Sequence, residues 1–224
     1  MPRDEVFLGL FRRRSCTVPT WRSWLLFFLI LAVVAIGALR GVHPFLAVED
    51  SKPGGVLVIE GWEPDYAMEI AIEEFHRNHY EKLFVTGGPL ESGASLSEFK
   101  SNAELGTATL LKMGLSTNEV QAAPAPFARQ DRTYTSAVYL GKWMQDHSVQ
   151  PRRLNLMTLG PHARRSRLLF EKAFGKNTVV GVLAINPRDY DQHRWWRSSQ
   201  GFRTVISEAI AYGYARIFFG TPEV

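Results

Sequence analysis

Seventeen consecutive residues, Ser23 to Leu39, carry no charge, and all but Ser23 are apolar or glycine. A helix of that length spans about 26 Å, the short end of what crosses a bilayer core. Arg22 and Arg40 bracket the run, and Trp21 and Trp24 suit the headgroup interface. Beyond a connector with Pro44, Pro53 and Gly54-Gly55, the pattern becomes an alternation of short apolar runs and longer amphipathic stretches. Val56 to Ile59 reads as a first strand ending at Glu60-Gly61, followed by a helix from Pro64 to about His79. Lys82 to Thr86 is a second strand, closed by Gly87-Gly88-Pro89. Ser95 and Glu98 have capping-box spacing before a helix that stops near Gly114. Glu119 to Ala123 is a weaker strand, and Asp131 is placed to cap a helix over Arg132 to Asp146. Leu154 to Leu159 is a fourth strand, Gly160-Pro161 opens another helix, and Thr178 to Ile185 is a fifth strand. A final helix is expected over roughly Trp195 to Phe219.

Strands alternating with helices predict an α/β fold with a mostly parallel five-stranded sheet covered on both faces, preceded by one transmembrane helix. The expected partition is a basic tail (1–22), the span (23–39), a linker (40–55) and the α/β domain (56–220). In open parallel sheets ligands bind beyond the carboxyl ends of the strands, where strand order reverses. Four segments put special residues at those ends: Glu60-Gly61-Trp62, Thr86-Gly87-Gly88-Pro89, Asp131-Arg132-Thr133, and Gly160-Pro161-His162-Ala163-Arg164-Arg165.

The 224 residues are 46% hydrophobic and 21% charged, which excludes a disordered or low-complexity chain. Cys16 is the only cysteine, so neither an internal disulfide nor a cysteine-based metal site can form. The net charge of +4 is unevenly spread. Residues 1–23 hold five Arg against two acids, 49–150 hold eight Lys/Arg against fifteen acids, and 151–203 hold eleven against three. Separate basic blocks of this kind argue against a nucleic-acid surface. The first belongs to the membrane signal: Arg3, Arg12, Arg13, Arg14 and Arg22 precede the span, and the positive-inside rule then keeps the N-terminus cytoplasmic and exports the domain. A cleaved signal peptide is the rival, opposed by the long basic region and the lack of a clear Ala-x-Ala site. A cytoplasm-facing nucleotide-binding domain would need the inverted topology.

The second block holds the most informative chemistry. His162 falls in the first turn of a helix after an apolar strand, where free N–H groups and the helix dipole favour an anion. Arg165, Leu169 and Ala173 continue along the same face, whose lower part is apolar. A purely structural His/Arg pair is the alternative. Gly87-Gly88 either brings backbone donors to a ligand or makes a tight turn. Glu60 is a site carboxylate or a solvated strand end, Thr133 a phosphate contact or a cap, and Arg132 and Arg164 ligand contacts or surface charges. No Gly-x-Gly-x-x-Gly, Walker A, Gly-x-Ser-x-Gly or zinc-protease pattern occurs, so the sequence names no cofactor and no metal site. Asp189 to His193 holds metal-capable side chains that turn chemistry explains equally well. Trp195-Trp196-Arg197 and the helix after it either pack on the sheet or touch the bilayer.

At Gly61, Gly87-Gly88, Thr133 and His162-Ala163-Arg164-Arg165 the chain resembles the envelope-associated family that includes YdcF, SanA and ElyC, and is similar to its membrane-anchored type. The resemblance covers roughly Val56 to Ile185, and Trp195-Trp196-Arg197 with Gly201 is also similar. Glu60-Gly61-Trp62 stands where relatives often have several glycines, and Thr135-Ser136 where they often have Glu-Asn; both departures lie where specificity is set. The resemblance implies a Rossmann-like three-layer sandwich and an inner-membrane protein whose periplasmic domain supports cell-envelope or peptidoglycan biogenesis.

Taken together, the expectation is a single-pass protein whose exported domain binds a phosphorylated or anionic small ligand or lipid-linked precursor. Glu60, Gly61, Gly87, Gly88, Arg132, Thr133, His162, Arg164 and Arg165 are the candidate contacts. If it is an enzyme, the expected reaction is hydrolysis or transfer at phosphate, with His162 as general acid/base and Arg165 stabilising charge. The alternative is a non-catalytic scaffold that recruits other envelope proteins.

Overall fold

The computed structural model describes residues 18–220 and two short strands before them, in two units, Met1–Leu39 and Arg40–Val224. In the first unit β1 (Glu5–Val6) pairs antiparallel with β2 (Phe11–Arg12). Apart from those strands and residues 18–22, the basic tail expected at its start, Cys16 included, lies outside the described residues. Helix α1 (Trp21–Leu46) carries the apolar run, with mean hydropathy 2.6 over its best window and none of that window buried. It is the one described helix long and apolar enough to cross a membrane.

The linker expected over 40–55 is helical in its first part, because α1 runs on through Pro44 to Leu46. A proline so near a helix end removes only one intrahelical bond, and Ala47 N–H still reaches the His43 carbonyl at 2.8 Å. The rest of the linker is tied down. Asp50 exchanges two backbone hydrogen bonds with Val182, and the buried Asn155 side chain both accepts from and donates to the Lys52 backbone at 2.7 Å.

The second unit holds a five-stranded, all-parallel sheet in the order β5-β4-β3-β6-β7, made of β3 (Val56–Glu60), β4 (Leu83–Gly87), β5 (Val120–Pro124), β6 (Arg153–Leu159) and β7 (Val179–Ile185). This is a Rossmann-like arrangement with the reversal of strand order between β3 and β6. Alternation along β3 sends Leu57 and Ile59 into one core with α2 (Asp65–Arg77) and α3 (Asn102–Lys112). Val56 and Val58 enter the other core, with α4 (Arg132–Asp146) and α5 (Ala163–Phe174). Each central strand is apolar on both faces because both faces are covered.

Three expected boundaries moved. Helix α3 starts at a capping box, but the box is Ser101 and Glu104: Ser101 Oγ accepts from Glu104 N–H at 3.2 Å, and Glu104 Oε2 accepts from Ser101 N–H at 3.1 Å. Ser95 and Glu98 have the same spacing, yet they sit in an irregular loop where Leu96 is 93% exposed. What fixes the start is packing: a Cβ on Gly61 would lie 2.1 Å from the Asn102 carbonyl oxygen, and one on Gly106 would lie 3.0 Å from Gly61 Cα. Gly160–His162 forms a 3-10 turn rather than the first turn of α5. The last helix is broken into a 3-10 segment, Gln192–Arg197, and α6 (Ser199–Ile217), the latter capped by Ser198. Asp191 Oδ1 accepts from His193 N–H at 2.8 Å, so the Asp/His-rich stretch begins with turn chemistry.

Candidate functional site

A cleft of about 670 Å³ opens beyond the carboxyl ends of β3, β4 and β6, at the reversal of strand order. Its floor includes Glu60 at the end of β3. One wall is Gly87-Gly88 and the loop after it, another the start of α4, and the far side is His162, Arg165 and the inner face of α6. Of the residues expected to gather there, Glu60, Gly87, Gly88, Arg132, Thr133, His162 and Arg165 line this cleft.

Gly61 and Arg164 do not, and both have other work. Gly61 is the point of closest approach between the β3 end and α3, where any side chain would strike Asn102. Arg164 turns outward: its Nε donates to the Phe45 carbonyl, and its guanidinium stacks 4.1 Å over the Phe45 ring. Helical spacing places residue 164 one step off the Arg165 face, and α1's last turn takes it.

Packing also separates the two glycines of the pair. A Cβ on Gly87 would come within 2.8 Å of Asn102 Cβ, whereas one on Gly88 would meet only the Pro126 oxygen at 3.6 Å, an ordinary contact. Gly87 is accounted for by packing; Gly88 is not. At the start of α4, Asp131 has φ 53° and makes no side-chain cap, so the first-turn N–H groups beside Thr133 have no side-chain acceptor among the described residues. Arg132 pairs with Glu91, both largely exposed at the rim.

The centre of the site is an ion network. His162 Nδ1 donates to Glu208 Oε1 at 2.9 Å, and Arg165 donates to both Glu208 oxygens, through Nε at 2.8 Å and Nη2 at 3.0 Å. His162 Nε2 lies 3.4 Å from Glu60 Oε2, an ion-pair distance without hydrogen-bond geometry. Trp62 meets the imidazole edge-on at 5.4 Å between ring centres. Burial works against the charge on His162, but the Glu60 carboxylate and the bond to Glu208 outweigh it and lift its pKa to about 9. Burial likewise disfavours ionised Glu208, and the bonds from His162 and Arg165 pull its pKa down to about 2. For Glu60 burial is again opposed, here by the His162 charge, and the carboxyl ends below its ordinary value. His162 is therefore a cation at neutral pH. In that state it can give a proton or attract an anion.

Behind this network lies a carboxyl that sequence reasoning missed. Thr158 Oγ1 is 2.9 Å from Glu60 Oε2 and 2.8 Å from Glu63 Oε1. A threonine hydroxyl has one hydrogen, so it donates to one carboxylate only, and the other contact calls for a proton on a carboxyl. Glu63 is the holder: burial first, and the Glu60 charge second, push its pKa up to about 7. Its Oε1 also accepts from Leu159 N–H at 3.0 Å, while its Oε2 is buried with no hydrogen-bond partner among the described residues. Glu208 was missed as well. Its signal was there to find, since it is the only acid in α6.

Neither the family models nor the curated proteins searched match this chain.

Proposed function

We propose that this is a single-pass membrane protein whose exported domain binds a phosphorylated or otherwise anionic small ligand in the cleft and serves cell-envelope biogenesis. The observation that carries the ligand class is the meeting, in one cleft, of the uncapped α4 start, the sterically unrequired Gly88, and the cations Arg132 and Arg165. Backbone donors at a helix start beside guanidinium groups favour phosphate oxygens. Arg165 spends Nε and Nη2 on Glu208 and makes no hydrogen bond through Nη1 among the described residues. The envelope role and the outward orientation of the domain rest on the resemblance to the YdcF, SanA and ElyC family and on the basic flank of the span.

If the domain turns its ligand over, the chemistry is hydrolysis or transfer at phosphate. Protonated His162 then acts as acid toward the leaving oxygen, with Arg165 against the developing charge. One observation favours the second reading, a non-catalytic scaffold: both buried cations are already matched by Glu60 and Glu208, as in an internal structural tie.

Titration of the purified full-length protein with inorganic pyrophosphate distinguishes the two. Binding is expected, and Arg132→Ala should weaken it about tenfold, the loss of one charge-assisted contact, without lowering stability. Absence of binding, or binding indifferent to Arg132→Ala and Gly88→Ala, would leave the scaffold. A C-terminal topology reporter tests the orientation.

A further inference from the structure

Helix α6 has two apolar faces, and the fold uses one. Gly201, Val205 and Ala215 turn inward and are buried. On the opposite side Phe202, Ile206, Ile210 and Ile217 are exposed by 51%, 36%, 69% and 72%, at spacings of four, four and seven that put them on one stripe. Tyr214, 53% exposed, stands between this stripe and the cleft, which it also lines. Single exposed apolar residues are ordinary; a helix-long stripe is not.

Charge and connectivity identify what covers it. Arg194, Arg197, Arg203 and Arg216 are all exposed along the 3-10 segment and α6. The only carboxylate of α6, Glu208, is held inside the cleft by His162 and Arg165 and offsets none of them. Arg197 and Arg203, with Trp196, Phe202, Ile206 and Ile210, border a shallow groove on this face. Cations flanking an apolar stripe match an anionic lipid surface. Within the second unit, Val42 and Leu46 at the end of α1 pack with Trp195, Val205, Ala209 and Tyr212, so the chain seats on α6 within a few residues of the end of its apolar run at Leu39.

We propose that the exposed stripe of α6 is a membrane-binding surface, with Ile206, Ile210 and Ile217 entering the headgroup layer of an anionic bilayer and the flanking arginines meeting lipid phosphates. This rests on the membrane-anchored part of the function proposed above, and it resolves the two sequence alternatives for this segment in favour of both: Trp195 packs, while the α6 stripe faces lipid.

The test uses the full chain carrying Cys16→Ser, with a nitroxide label on a single cysteine at Ile30→Cys, Ile210→Cys or, as the control on the other side of the sheet, Glu69→Cys. Each is placed in nanodiscs of equal parts phosphatidylglycerol and phosphatidylcholine. The label at 210 should be about fivefold less accessible to an aqueous nickel chelate than the label at 69, and more accessible to oxygen. That protection should weaken in pure phosphatidylcholine. If 30 is in lipid and 210 is as aqueous as 69, the surface assignment fails and the anchor stands. If 30 itself is aqueous, both fail. Protection equal in the two lipids, or spin–spin broadening at 210 that disappears on dilution with unlabelled chain, overturns the proposal in favour of uncharged contact or a second copy.

Discussion

His162 and Glu208 are 46 residues apart in the chain and 2.9 Å apart in the fold. That contact joins the turn after β6 to α6 and, with Arg165, makes a buried cluster in which two cations share a single carboxylate. It also fixes a proton: with Glu208 ionised, Nδ1 must carry hydrogen, and the 2.9 Å approach of Arg165 Nη2 to Nδ1 is then a contact between two donors facing the same acceptor.

Replacing Glu208 with Gln should therefore lower the His162 titration midpoint from about 9 by at least roughly a unit, followed by NMR of the imidazole. Glu208→Ala should also cost about 3–5 kcal/mol, because Arg165 and His162 are left buried with one anion between them. An unchanged midpoint in Glu208→Gln would remove the network from any account of the site.

Two groups make stability fall as the pH rises, each over its own range. His162 has a folded pKa above its free value of 6.5, so its contribution is complete below about 6.5 and is lost as pH rises through about 9. Glu63 also has a raised pKa; it is an acid whose ionised form the fold disfavours, so stability falls likewise, over the lower range from its free value of 4.5 to about 7. Glu63→Gln keeps the shape and the bond to Leu159 N–H without the titration. It should be more stable than the parent at pH 8, by on the order of 3 kcal/mol, and near parity at pH 4.5. Denaturant melts at the two pH values check this; equal differences at both would show that Glu63 does not hold the proton.

Two glycines that look alike in sequence should behave differently. Gly61→Ala forces Asn102 away from the β3 end and should destabilise by about 1–3 kcal/mol. Gly88→Ala has room and an ordinary φ, so stability should stay within about 0.5 kcal/mol while pyrophosphate binding weakens. Thermal melts with and without pyrophosphate separate the two effects.

The sheet was readable because each strand is a short, mostly apolar run set off from the amphipathic stretches around it, and all five appear within a residue or two of the places expected. Convergence at the strand ends follows from parallel topology, which is why His162, Arg165, Gly88 and Thr133 were nameable in advance. Interactions between distant segments were not. Ser95 and Ser101 offer the same local cap, and only the contact of α3 with Gly61 selects between them. Arg164 and Arg165 are adjacent cations, and only the position of Phe45 decides which one leaves the cleft. Glu63 and Glu208 bear no motif; their meaning comes from burial and from the partners brought to them.

The Glu208 clamp has a corollary for anything negative that enters. The guanidinium and imidazolium are already neutralised, so a guest does not fall into bare positive potential; it must displace a resident carboxylate or share its donors. Selectivity then depends on shape and donor geometry more than on charge number, and sodium chloride should compete only feebly once the guest is seated. Displacement would also slacken the grip on α6 from within, so that the helix carrying the arginine-flanked stripe feels whether the chamber is full.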